Sequence, residues 1–87
     1  MLLSVRDVDM MIERLVPQGT PASRAAAILD AHGIARGPYD PQDRTMLTKI
    51  TDPHSPLIVA HAFQVSFAFD AQNNLVSHTT HEVFTGP

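Results

Sequence analysis

Cysteine is absent from this chain. That excludes disulfides, thiolate chemistry and a cysteine-borne lipid anchor, and it leaves the redox compartment open. No apolar run approaches the ~20 residues of a membrane span. Leu2 and Leu3 are followed by Ser4, Arg6 and Asp7, so no signal-peptide core is present and a cytoplasmic location is the default expectation. The four glycines, at 19, 33, 37 and 86, are punctuation rather than a phosphate-binding loop. Lysine and arginine are missing from everything after Lys49: residues 50–87 carry Asp52, Asp70 and Glu82 with four of the five histidines. All six basic residues and six acidic ones fall before that point, for a net charge of −3. A sheet built without Lys or Arg is a poor surface for phosphate backbones, so nucleic acid is not an expected partner.

Eighty-seven residues make one domain, 1–87, and a hydrophobic fraction of 44% is that of a globular chain. A domain of this size buries roughly 60–65% of its unfolded surface, so its core is small. The chain is organised around the stretch from Leu57 to Phe84, which reads as a long strand, a polar turn and a returning strand. Leu57, Val59, Phe63, Val65, Phe67 and Phe69 alternate along the first strand, with His61 as the one polar member of that set. Side chains alternate faces along a strand, so this set is expected to be buried. Asp70, Gln72, Asn73 and Asn74 supply the chemistry of a five-residue turn between antiparallel strands. If Phe69 pairs with Leu75, Val65 faces Thr79, Phe63 faces His81 and His61 faces Val83. A one-residue slip would instead bury Val76, Thr80 and Phe84. The first register is the one expected.

Two helices precede the hairpin. Ser4 can cap the N–H of Asp7, and Val5, Val8, Ile12, Leu15 and Val16 recur at helical spacing, with Met11 at the border. Pro17 and Gly19 end that helix. Thr20 and Pro21 open a second as N-cap and first helical residue, running from Ala22 to His32 with a small-residue face. Gly33 stops it, and Ile34 folds back. Residues 35–42 read as a loop. From Asp43 to Thr51 the chain alternates, with Met46, Thr48 and Ile50 on one side and Thr45, Leu47 and Lys49 on the other. The order helix, helix, strand, strand, strand predicts an α+β fold: two helices packed on a three-stranded antiparallel meander, in two layers.

The stretch from Val8 to Ile34 resembles the opening of the SmpA/BamE family of small outer-membrane assembly lipoproteins. Val65-Ser-Phe-Ala-Phe-Asp70 and Asn74-Leu75 resemble that family's hydrophobic strand, turn and returning strand. The domains of β-lactamase-inhibitor proteins are of similar design. The chain departs from the family in having no lipidation cysteine, and Asn73-Asn74 where a glycine is usual. The resemblance implies a small non-catalytic module that binds protein.

Histidine is the residue type with most chemistry to offer. In the expected register His61 and His81 share a face, and a zinc site would need Asp52, His54 or Glu82 to complete its ligand set. His78 and His81 are three apart, which on a strand points them to opposite faces. Ser55 and Ser77 adjoin histidines in sequence, but neighbours on a strand point opposite ways and make no triad. No pair of carboxylates is placed for acid–base work. The expectation is therefore a protein that is not an enzyme, takes no cofactor, metal or small-molecule ligand, and binds a protein partner or a second copy of itself. The even-numbered face, Ile58, Ala60, Ala62, Gln64 and Ser66 with His78 and Thr80 from the returning strand, is small and uncharged and is the expected partner surface. Two other readings stand beside it. One is an inhibitor or immunity-type protein, whose acidic sheet half would favour a basic target; the other is a histidine-based metal-binding protein.

Overall fold

The computed structural model describes residues 3–52 and 60–85. They form α1 (Val5–Leu15), α2 (Ala22–Ala31), β1 (Ala35–Arg36), β2 (Thr45–Thr51), β3 (Ala60–Phe69) and β4 (Leu75–Thr85). The strands make one antiparallel sheet in the order β1-β2-β3-β4. The α+β class and the meander follow the sequence, but the sheet has four strands rather than three. The extra strand is Ala35–Arg36, expected as loop, which lies opposite Lys49 and Thr48 of β2. Two residues carry no periodicity of their own; the ladder of β2 recruits them. Leu57, Ile58, Val59 and His54 lie outside the described residues, as does the side chain of Ala60.

Reciprocal capping starts α1. The Asp7 N–H donates to Ser4 Oγ at 3.1 Å, and the Ser4 N–H donates to an Asp7 carboxylate oxygen at 3.0 Å. Its stripe buries Val8, Ile12 and Val16, while Met10 stays outside. The second helix begins differently from the expectation. Pro21 is its N-cap, and the Thr20 hydroxyl turns back to donate to Pro17 O at 2.6 Å. The orphan N–H of Ala22 instead donates to Asn73 O at 2.8 Å, so the hairpin turn does the work of a cap. Gly33 ends the helix with φ +67°, and the Ile34 N–H returns to Leu29 O at 2.9 Å.

The helices form one layer, α1 over β4 and α2 over β1. Between them and the sheet lie Phe63, Val65, Phe67 and Phe69 of β3, Met46 of β2 and Leu75 of β4. These meet Val8, Ile12 and Val16 of α1 and Ala22, Ala25 and Leu29 of α2. Alanines at the sheet-facing positions of α2 let that helix sit close. Full burial of each Phe contributes on the order of 2–3 kcal/mol.

The 70–74 turn forms as its residues predict. Asp70 Oδ1 accepts the N–H groups of Gln72 and Asn74, both at 2.9 Å, and Asn73 takes φ +63°, which Asn tolerates where a bulkier residue would be strained. Phe69 pairs with Leu75, as expected. A β-bulge then intervenes: Ala68 pairs with Ser77, leaving Val76 as the extra residue. Beyond it the parity of β4 reverses, so Val65 faces Thr80, Phe63 faces Glu82 and His61 faces Phe84. The expected register holds at the turn and the slipped one holds along the rest of the strand. The slip does not bury every residue it was expected to, since Val76 is 48% exposed and Phe84 59% exposed.

Candidate functional site

The bulge decides which polar residues of β4 turn toward the helices, and it assembles a charged cluster at one end of the sheet. His61, on the inward face of β3, is 1% exposed. Its Nδ1 lies 2.7 Å from Asp52 Oδ2, and its Nε2 lies 2.7 Å from Glu82 Oε2. Asp52 follows the last residue of β2 and is held there by its own N–H, which donates to His61 O at 2.8 Å. The same Oδ2 accepts the N–H of Leu3 at 2.9 Å, which pins the segment just before α1 to the sheet. Phe84 stacks flat on the imidazole, with centroids 4.6 Å apart and planes 7° off parallel, and Phe63 packs beside it at 4.7 Å.

An imidazole facing a carboxylate at each nitrogen is held as imidazolium, because only that form donates from both. Burial alone would push the His61 pKa down. The hydrogen bonds to Asp52 and Glu82, with the charge of both acids, outweigh that cost and hold it above the usual 6.5. The chemistry follows from this. A protonated ring with both nitrogens engaged and almost no exposure accepts no proton from a substrate. The two acids sit on opposite nitrogens of the ring, so no single ion would touch His61 and both carboxylates. Among the described residues no group of three or more His, Cys, Asp and Glu is arranged to hold a metal ion. The cluster is a clamp that joins β2, β3, β4 and Leu3.

The expected meeting of His61 with His81 does not occur. His81 lies opposite Gln64, exposed on the other side of the sheet, because the bulge shifts it there. His78 and His81 do point to opposite faces. His78 and Thr80, expected on the outer face, turn inward for the same reason. His78 Nε2 lies 3.2 Å from Asp9 Oδ1, and the Thr80 hydroxyl donates to that same oxygen. Asp9 thereby ties α1 to β4, a role that its position off the apolar stripe hides. Arg36 belongs to β1, where its guanidinium grips both carboxylate oxygens of Asp30, each at 2.9 Å. That hydrogen-bonded pair holds the Asp30 carboxyl below its usual range and raises Arg36.

The other face of the sheet carries no described helix. Its rows run Thr45, Ala68, Ser77; then Leu47, Ser66, Thr79; then Lys49, Gln64, His81; then Thr51, Ala62, Val83. Of the expected partner residues Gln64 is exposed and Ser66 half-buried here, while Ala62 is buried at 5% and offers no contact area. Ile58 and the side chain of Ala60 lie outside the described residues. Leu47 is 59% exposed in the second row, beside a shallow cavity of about 220 Å3 that Lys49, Gln64 and Gly37 help to line. The alternation of β2 places Leu47 on this side; its weight as an apolar contact is visible only once no described helix covers it.

No protein-family model matches the chain, and neither a curated protein nor a solved structure matches it.

Proposed function

We propose that the chain is a non-enzymatic protein-binding module that receives a folded partner on the open face of its sheet. The observation that carries this reading is Leu47, a large apolar side chain left exposed beside a shallow cavity, with Thr45, Lys49, Gln64 and Ser66 as polar neighbours around it. A mixed surface of that kind, apolar at one point and polar at its rim, suits a protein contact better than the enclosed pocket a small ligand needs. The resemblance to the SmpA/BamE family supports the same class of role. The clamp supports it from the other side: the histidine with most chemistry to offer is occupied as a buried cation. The inhibitor reading depends on an acidic sheet half meeting a basic target. Asp52 and Glu82 turn to His61, and Asp70 accepts N–H groups of its own turn, which weakens that attraction.

The test is site-specific photo-crosslinking from two positions in cells that make the protein. A crosslinker at Gln64, on the open face, should capture a discrete adduct; one at Arg24, exposed on α2, should not. Ser66→Arg should remove the Gln64 adduct with an unchanged circular dichroism spectrum. Adducts from Arg24 alone, or a Gln64 adduct indifferent to Ser66→Arg, would defeat the proposal.

A further inference from the structure

The two edges of the sheet are unequal. β1 is two residues long, whereas β4 runs for eleven. An edge strand presents unpaired N–H and C=O groups, and proteins usually blunt it with lysine, proline, a short run or a covering segment. β4 contains no lysine, arginine or proline, and its one acid, Glu82, is turned to His61. Its bulge sits at one end, leaving Ser77–Thr85 regular. Among the described residues no strand pairs with its outer edge, and only its first residue is covered there: Leu75 accepts the Gly19 N–H and donates its own N–H to Thr20 O, both at 2.8 Å.

The sequence of β4 is self-complementary about Thr80. We propose that β4 pairs antiparallel with β4 of a second copy on a two-fold axis at Thr80, so that two four-stranded sheets become one. That register sets Thr79 opposite the partner's His81 and His78 opposite the partner's Glu82, an imidazole against a carboxylate on the helix side. It also brings Val76 to the partner's Phe84, joining two exposed apolar side chains, 48% and 59% exposed, at each end of the seam. Beside Val76 a groove of about 360 Å3 opens between the end of α1 and the start of β4, lined by Glu13, Val16, Pro17 and Leu75. The partner's Phe84, stacked by one face on its own His61, presents its exposed remainder at that mouth. Knob and groove belong to the same chain, so the two-fold axis makes the contact twice. Neighbouring registers do worse. An axis at His81 sets imidazole against imidazole, and one at Thr79 sets Val76 against the partner's Glu82. The edge pairing leaves both open faces on one side of the joined sheet, and it does not depend on what they bind.

The chain has no cysteine, so engineered thiols report the register cleanly. Thr79→Cys and His81→Cys are both exposed on the open face, and directly opposed strand residues lie within disulfide reach. Under mild oxidation a mixture of the two single variants should give a linked heterodimer, while each variant alone should not. Light scattering of the unaltered chain should show a dimer that dissociates on dilution, and Val76→Glu should raise its dissociation constant about tenfold. A monomer at all concentrations overturns the proposal. So does a dimer lost in Ser66→Arg but retained in Val76→Glu, because association would then run through the open face. A dimer whose single-cysteine variants crosslink as readily alone as when mixed overturns the register and the axis at Thr80.

Discussion

The two faces of this sheet use the same strands for opposite purposes. The inward face is filled and paired: four side chains of β3 lie in the core, and the polar groups among them are matched to partners. The outward face, separated from it by nothing more than alternation, carries mostly polar and small side chains around one exposed leucine. In β4 a single extra residue, Val76, decides which group goes where. The difference teaches that polar residue type is a poor guide to exposure in a strand. His61, Asp52 and Thr48 are all buried, whereas Leu47 is not.

That division has consequences that can be measured, and the largest belong to the inward face. Phe67→Ala leaves a cavity in the centre of the core and should cost about 3–5 kcal/mol, read as a fall in the urea midpoint. Asp52→Ala strips His61 of one partner and leaves the Leu3 N–H unpaired. Its cost should be about 3 kcal/mol, with faster amide exchange at Leu3 than in the unaltered protein. An equal midpoint would mean that the clamp contributes nothing.

The clamp also makes stability depend on pH, with a definite sign. The folded His61 binds its proton more tightly than the unfolded chain does, because its pKa lies above 6.5. Its contribution is complete below the unfolded value and is lost as pH rises through the folded one. Stability should therefore fall as pH rises from about 6.5, the unfolded value, through the higher folded one. In Glu82→Gln the fall should begin at lower pH, since one of the charges that holds the proton is gone. A midpoint that rises with pH over this range would contradict the sign. The smallest stability effect is expected on the outward face. Leu47→Asp should change the unfolding free energy by no more than about 0.5 kcal/mol. It should nonetheless abolish the crosslink from Gln64, and a large loss of stability would show that the leucine is part of the fold.

Much of this fold could be read from residues alone, and the failures have physical causes. Helix α1, the alternation of β2, the inward set of β3 and the five-residue turn each follow a local rule, and each forms. Residues 35–36 become a strand because β2 lies next to them, a contact that no window of sequence contains. Thr20 does not cap α2 because the turn at Asn73 supplies the acceptor from far along the chain. The register of β4 escaped because each of two pairings satisfied part of the pattern, and the protein uses both, joined by the bulge. That one miss moved His78, Thr80, His81 and Glu82 to new faces. It turned an expected histidine pair into a carboxylate–histidine–carboxylate clamp, although Asp52 and Glu82 were already visible as the acids within reach of His61.

Nitrogen NMR of the His61 ring tests the division of the two faces most directly. In a pH titration the His61 ring should keep a proton on both nitrogens to a higher pH than an ordinary histidine, which is half neutral at about 6.5, and those protons should exchange slowly. A ring that bares one nitrogen as early as an ordinary histidine would contradict the account, because the inward face would then hold a base free to do chemistry.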